Sequence, residues 1–169
     1  MSLEQDIYQE DFRNEFQKAL LNMVFTNYHV VDKMNVVFKK HDITRQQYNV
    51  LRILKGQLPG HASINLIKDR MLDKMSDASR IVERLRIKGL VTRDFCEKDK
   101  RSVEVRITQT GLTILDRMQP EVEGFEHILH NLTEEETHQL NYLLDKIRGS
   151  DKVKQTNSKQ TLEAETSSR

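Results

Sequence analysis

Residues 74–108 read KMSDASRIVERLRIKGLVTRDFCEKDKRSVEVRIT, and the first half of this stretch predicts a short helix. Ile81, Val82 and Leu85 recur at helical spacing, and they follow a serine and an aspartate that can cap a helix start. Gly89 comes directly after the periodic residues, and glycine adopts the positive φ of a helix end at no steric cost. The stretch therefore predicts one short helix that stops at Gly89.

The second half of the same stretch predicts a β-hairpin with a basic tip. Val91 and Phe95 share one face of the first strand, and Val103, Val105 and Ile107 alternate along the second. The seven residues between the strands read CEKDKRS and contain three cations.

A helix followed by a basic-tipped hairpin is typical of a winged helix-turn-helix. The major groove of DNA is wide enough to admit a helix, and the negative potential of a narrow minor groove attracts an arginine. An ordinary surface hairpin with solvated charges is the alternative. The order of helix, glycine stop and basic hairpin favours DNA binding.

Residues 85–111, LRIKGLVTRDFCEKDKRSVEVRITQTG, resemble the MarR family of bacterial transcription regulators. The family pattern runs L-x-x-K-G-L-V-x-R, then a wing with D-x-R, then a strand ending in L/I-T-x-x-G. The matching residues are Leu85, Lys88, Gly89, Leu90, Val91, Arg93, Asp99, Arg101, Ile107, Thr108 and Gly111. By the order of its elements the resemblance covers residues 6–148, and it is most specific in the wing.

The resemblance implies an α+β, mostly α fold, in which a winged helix-turn-helix lobe is joined to long N- and C-terminal dimerisation helices. Residues 1–149 would then form a single MarR-like domain. The lobe is expected at 44–108 and the dimerisation helices at 6–40 and 109–149. The polar composition of residues 150–169 predicts a disordered tail.

Helix signals outside the lobe agree with this layout. Asp11–Lys40 has apolar residues at spacings of three and four, and a helix of that length would span about 45 Å. Such a stripe needs a second long helix or a second subunit, although an intramolecular bundle is the alternative. Thr44 and Thr133 each start a capping box, and Ser63 can cap a helix that runs to Met71.

Two breakers interrupt the helical pattern after the hairpin. A helix that starts at Thr108 or Thr110 carries an apolar stripe through Leu129, with Pro120 and Gly124 inside it. Proline removes a backbone donor, so we expect a kink just before it.

The charge is concentrated in the predicted lobe. The chain has 169 residues and a net charge of +1. Residues 44–106 contain 15 lysine and arginine residues against 8 acidic residues, and the rest of the chain is acidic. This asymmetry suits a polyanionic partner for the lobe alone.

Residues at the start of the predicted recognition helix are the first candidates for contact with DNA. Arg80 can donate two hydrogen bonds to a guanine edge. Asp77 suits either a base contact or the positive end of the helix, and Arg84 either reaches phosphate or pairs with Asp77 or Glu83. The candidates in this helix are Ser76, Asp77, Ser79, Arg80 and Arg84, with the serines expected on phosphates.

The wing supplies the second group of candidates, by resemblance to the family. Arg101 would enter the minor groove, and Asp99 would orient its guanidinium because a carboxylate matches the forked donor. Lys98 and Lys100 would neutralise phosphates without reading sequence.

Other chemistry has weaker support. Cys96 lies beside Lys98 and Lys100, which favour a thiolate, but an inert thiol is the simpler interpretation. His127 and His130 share a helix face, yet two histidines at this spacing do not define a metal site. No catalytic motif appears, so we predict no enzyme activity, no cofactor and no metal.

The sequence therefore predicts a cytoplasmic, sequence-specific regulator that binds double-stranded DNA as a homodimer and has no membrane segment. The resemblance further implies a repressor that binds a pseudo-palindromic operator and responds to a small aromatic effector. Met23, Tyr28, His29 and Tyr48 are candidates for the effector cleft, although such residues are more often core. The alternatives are a regulator without an effector and a helical protein-interaction module with a basic hairpin.

Overall fold

A computed structural model of the chain describes residues 2–95 and 103–149. The elements in chain order are α1 (Leu3–Ile7), α2 (Glu15–Lys40), α3 (Arg45–Lys55), β1 (Ala62–Ser63), α4 (Ile64–Arg70), α5 (Ala78–Ile87), β2 (Val91–Phe95), β3 (Val103–Ile107), α6 (Gln109–Glu123) and a 3-10 helix (Gly124–Leu129). Residues 134–149 are also helical and are called α7. The residues up to Phe125 form one compact unit, and those from Glu126 form another. The predicted α+β, mostly α class is confirmed.

Side-chain caps set the helix boundaries of the lobe. Thr44 Oγ1 accepts from the Gln47 N–H at 3.1 Å, and Gln47 Oε1 accepts from the Thr44 N–H at 2.9 Å, which is the predicted capping box. Ser63 Oγ accepts from the Leu66 N–H at 3.1 Å and starts α4. That helix ends at Arg70, one residue earlier than predicted.

The hairpin pairs as predicted, and a third strand joins it. Strands β2 and β3 are antiparallel, with Val91 opposite Ile107 and Phe95 opposite Val103. β1 pairs with the other edge of β3, giving the order β1-β3-β2. We did not predict β1, because two residues are too few for alternation to be visible.

One hydrophobic core fixes the orientation of the lobe's helices. The largest fully buried side chains come from α3, α4, the residue after α4, α5, β3 and α6: Val50, Leu51, Leu54, Ile67, Met71, Val82, Leu85, Val105 and Met118. Because Val82 and Leu85 enter this core, one face of α5 is committed to the interior. The opposite face of α5 is therefore left at the surface.

The long N-terminal helix begins later than predicted. Asn14 Oδ1 accepts from the Gln17 N–H at 2.9 Å, so α2 starts at Glu15 rather than Asp11. The unpredicted α1 precedes it, and Glu4 of α1 lies 2.5 Å from Lys18 Nζ of α2. The hydrogen bond from Lys18 lowers the pKa of the Glu4 carboxyl to about 2.

Most of the apolar stripe on α2 is uncovered in a single chain. Phe38 is the one residue of α2 that is buried. The stripe includes exposed side chains at Phe16, Leu20, Met23, Val24, Phe25, Tyr28 and Val36. A surface of this size and composition is typical of an interface.

The helix after the hairpin passes through its proline. Pro120 lies inside α6, which continues past it to Glu123, and the change to a 3-10 helix comes at Gly124, the second of the two predicted breakers. Glycine has a low helix propensity, which is the physical reason for a change at that position. In the second unit, Thr133 and Glu136 form the predicted capping box.

Within residues 2–95 and 103–149, no helix combines the length and the hydrophobicity that crossing a membrane requires.

Candidate nucleic-acid interface

The start of α5 is capped by an aspartate. Asp77 Oδ1 accepts from the Arg80 N–H at 3.1 Å. This carboxylate therefore satisfies a backbone N–H that has no partner within the helix, and its negative charge stabilises the positive end of the helix dipole. Ser76, the other candidate cap, donates its hydroxyl to Asp73 Oδ2 at 2.7 Å instead.

The outer face of α5 presents two arginines one helical turn apart. Arg80 and Arg84 are exposed, and Ser79 is exposed beside them. Residues four apart lie on the same side of a helix, so the two guanidinium groups share one face. This face lies opposite the buried Val82 and Leu85.

Neighbouring ion pairs explain why Arg84 is available. Glu83 accepts three hydrogen bonds from Arg86, at 2.8, 3.0 and 3.2 Å, and its other ion pair is with Arg93 at 3.5 Å. The bond from Arg86 lowers the pKa of the Glu83 carboxyl below its ordinary value. Within the described part of the chain, Arg84 pairs with neither Asp77 nor Glu83, and its contact with phosphate stays a prediction.

The first turn of α3 lies beside this face. Thr44, Gln46, Ser76, Asp77, Arg80, Ile81 and Arg84 line a groove of about 280 Å³. Sequence reasoning missed Gln46. The signal that identifies it is its position in the first turn after the Thr44 cap, where the side chains of α3 meet those of α5.

The turn between α4 and α5 is closed by Asp73. Asp73 Oδ1 accepts from the Met75 N–H at 3.1 Å, and Asp73 Oδ2 accepts from the Ser76 hydroxyl. The Ser76 hydroxyl and then the Met75 N–H lower the pKa of the Asp73 carboxyl. The glycine that often occupies such turns is not needed here, because the aspartate side chain makes the turn itself.

The wing candidates Lys98, Asp99, Lys100 and Arg101 lie outside the described residues, and so does Cys96. The strands that flank them are paired up to Phe95 and Val103. Their roles therefore stay predictions.

The histidine pair lies in the second unit. His127 Nδ1 and His130 Nδ1 are 3.0 Å apart, and the ring centroids are 4.0 Å apart. One ring can donate a proton to the other when at least one is neutral. The described residues contain no group of three side chains suited to a metal ion.

A cleft lies among α2, α3 and the end of α6. It has a volume of about 580 Å³, and its lining includes three aromatic rings, with Phe38 5.2 Å from Tyr48 and 5.8 Å from Phe125 between ring centroids. Three arginines, Arg45, Arg52 and Arg70, also line it. Of the cleft candidates predicted from the sequence, Tyr48 lines this cavity, while Met23, Tyr28 and His29 do not.

Ion pairs join the end of α2 to α6 and to α5. Glu121 of α6 lies 2.8 Å from Lys40 Nζ and 2.8 Å from His41 Nε2, and these partners lower the pKa of its carboxyl. Lys88, which caps the end of α5, lies 3.0 Å from Asp42 Oδ2. The turn after α2 is thus linked both to a helix of the cleft and to the helix with the exposed arginines.

These features define a winged helix-turn-helix protein, and the comparisons with known proteins agree. Residues 41–102 match the sequence model of the MarR family. The chain is 33% identical over 140 residues to the HTH-type transcriptional repressor IacR of Pseudomonas putida, covering 82% of this chain and 81% of IacR. The chain belongs to the MarR family, whose members are DNA-binding transcription regulators.

Solved structures show the same relationship. The MarR transcription factor of Planctomyces limnophilus is 29% identical with a TM-score of 0.62, covering 80% of this chain and 98% of that one. A mutant MarR from E. coli in complex with operator DNA is 26% identical with a TM-score of 0.69, covering 82% of this chain and 99% of that one.

Proposed function

We propose that this regulator is a homodimeric, ligand-responsive repressor that binds a pseudo-palindromic operator in the cytoplasm. The observation that carries the proposal is the outer face of α5, where Arg80 and Arg84 are exposed while the inner face is held in the core. Such a helix can enter the major groove without disturbing the fold that supports it. The role requires no cofactor and no metal ion.

The dimer is supported by the uncovered stripe of α2. Exposed fractions of 88% for Phe16 and 60% for Leu20 are costly in water unless a partner covers these side chains. A two-fold dimer would place two recognition helices about 34–36 Å apart, which matches one turn of DNA. The complex of an E. coli MarR mutant with operator DNA is a precedent for DNA binding by a similar chain.

The wing completes the proposed contact. Arg101 would enter the minor groove with Asp99 orienting it, and Lys98 and Lys100 would lie on phosphates. On α5, Ser76 and Ser79 would contact phosphate, and Arg80 and Arg84 would reach bases or phosphates. Asp77 would act as the helix cap.

A salt titration of DNA affinity tests the proposal. If the two lobes of the dimer together contact about 6–10 phosphates, the affinity for duplex DNA should fall by a factor of about 10³–10⁵ between 50 and 200 mM salt. Fluorescence anisotropy with a random duplex and with a duplex selected by the protein measures this, and analytical ultracentrifugation measures the dimer. An affinity that does not change with salt, with no preference for the selected duplex, would favour the protein-interaction module. A monomer in the ultracentrifuge would contradict a dimer with two recognition helices.

We assign the effector to the cleft of α2, α3 and α6. A lining that contains three aromatic rings and three arginines suits a small aromatic carboxylate. The ligand must bind the arrangement that does not fit DNA more tightly than the one that does, or it shifts nothing. The ion pairs of Glu121 and Lys88 link the cleft to α5, so they are where a change in the cleft would reach the DNA contact.

Thermal shift with benzoate and indole-carboxylates tests the cleft. We expect an increase in the melting temperature of the wild type and a weaker DNA complex in the presence of the ligand. Arg52→Gln should lose both effects, because Arg52 lines the cleft, while the control Arg13→Gln on the segment before α2 should keep them. Equal ligand responses in Arg52→Gln and the wild type would contradict the assignment, and no response in the wild type would favour a regulator without an effector.

A further inference from the structure

The turn between α4 and α5 presents an apolar side chain directly before the recognition helix. Met75 is 94% exposed, which is unusual for a methionine beside a well-formed core. It lies two residues before Asp77, the cap of α5. The N-terminal end of a recognition helix is the part that usually reaches the base edges.

The backbone of this turn is held while the side chain of Met75 is free. The Met75 N–H donates to Asp73 Oδ1 at 3.1 Å, and the Ser76 N–H donates to the Asp73 carbonyl at 3.4 Å. Lys74 Nζ donates to the carbonyl of Asp69 at the end of α4. These hydrogen bonds fix the backbone position of Met75, so its side chain is exposed from a turn with a defined conformation.

The other apolar residue of the turn has a different environment. Leu72 is 88% exposed, but it lines a cavity of about 150 Å³ with Arg45, Gln46 and Asn49 of α3. The Leu72 N–H also donates to Asn49 Oδ1 at 3.0 Å. Leu72 thus lies against α3, whereas Met75 lines none of the cavities around α5 described above.

Of the residues that follow Met75, Ser76, Asp77, Ser79 and Arg80 are polar, and Ala78 is buried in the core. Met75 is therefore the exposed apolar side chain next to the start of α5. Thymine is the base that carries a methyl group in the major groove, and apolar side chains recognise it by contact. A methionine is flexible and polarizable, which suits it to such a contact. We propose that Met75 is a specificity-determining residue that contacts the C5 methyl group of a thymine in each half-site. This inference rests on the proposed DNA binding by α5.

Replacement of thymine by deoxyuridine tests the inference, because it removes the methyl group and keeps the hydrogen-bonding groups. The probe is a duplex selected from a random pool by the wild type, with each thymine of a half-site replaced in turn. At one thymine per half-site the wild type should lose about fourfold in affinity, the factor expected for one methyl-sized apolar group. Met75→Ala and Met75→Gln should bind the two duplexes equally. Leu72→Ala, the matched control from the same turn, should keep the wild-type sensitivity.

Several results would overturn the assignment. One is a Met75→Ala protein that loses the same factor as the wild type at every thymine, and another is a wild type insensitive to every replacement. If both Met75 variants also lost binding to random duplex at low salt, Met75 would support the turn rather than read a base. A wild type that binds no duplex at all would refute the proposed function as well, which separates the two failures.

Discussion

Arg80→Ala is expected to flatten the sequence preference of the protein while leaving most of its non-specific DNA binding. A guanidinium that donates two hydrogen bonds to a guanine contributes about 1–3 kcal/mol of discrimination per half-site. Arg80 is exposed, and the Asp77 carboxylate next to it bonds to the backbone of Arg80 rather than to its side chain. Competition between selected and random duplexes, measured by anisotropy at fixed salt, gives the preference directly.

The matched control for Arg80 is Arg117→Ala. Arg117 is an exposed arginine of α6, so its removal changes the net charge equally without touching α5. It should weaken binding to all sequences slightly and keep the preference. If Arg80→Ala lowered affinity for every sequence by one factor, Arg80 would be a phosphate contact, and base reading by that residue would be refuted.

Gly111→Ala should be the most destabilising of the single methyl additions that we consider. A Cβ at Gly111 would lie 2.4 Å from the Leu90 carbonyl oxygen and 2.8 Å from Ile107 Cγ1. Thr108 holds that backbone in place, since its N–H donates to the Leu90 carbonyl at 3.1 Å and its hydroxyl donates to the Gly89 carbonyl at 2.8 Å. The start of α6 and the end of α5 therefore cannot separate without losing hydrogen bonds.

We expect Gly111→Ala to lower the free energy of unfolding by about 3 kcal/mol or more, at the upper end of the usual cost of overpacking. Urea denaturation followed by circular dichroism measures it. The control is Gly56→Ala after α3, where the nearest atom to an added Cβ is 3.5 Å away and the backbone is helical. That change should be neutral or stabilise by about 0.4–1 kcal/mol. Equal stability of the two variants would contradict the close approach of α6 to Leu90.

The Gly111 contact also gives a physical reason for the motif that carries the family resemblance. In the segment Ile107-Thr108-Gln109-Thr110-Gly111, the threonine caps α6 and bonds to the end of the α5 turn, and the glycine admits the Leu90 carbonyl. Thr108 and Gly111 are three residues apart, about one helical turn, so both lie on the side of α6 that packs against the Leu90 carbonyl.

Capping residues and apolar spacing were sufficient to predict most of the lobe. Thr44 with Gln47, Ser63, and Thr133 with Glu136 act within four residues of themselves, so the chain nearby contains all the information that places them. The start of α2 was misplaced because the prediction followed the apolar pattern, which continues N-terminally to Asp11. The helix begins only after Asn14, which caps it.

The contacts between distant residues could not be predicted in this way. Arg93 approaches Glu83 from the neighbouring strand, and Glu121 meets Lys40 and His41 across 80 residues of chain. Such neighbours decide that, on α5, Arg86 is held in an ion pair with Glu83 while Arg84 is not paired with that carboxylate. The cleft among α2, α3 and α6 has the same origin, since its aromatic and cationic walls come from segments far apart in the chain.

The sequence by itself therefore determined the class of fold, the helix proposed to contact DNA and the family, because these depend on short-range periodicity, caps and a local motif. Only the tertiary structure decided that Asp77 is a cap, that Arg84 is unpaired among the described residues and that Met75 stands exposed on a turn held by Asp73. Those properties depend on which side chains meet across the core, and the hydrophobic packing that brings them together is not encoded in any one segment.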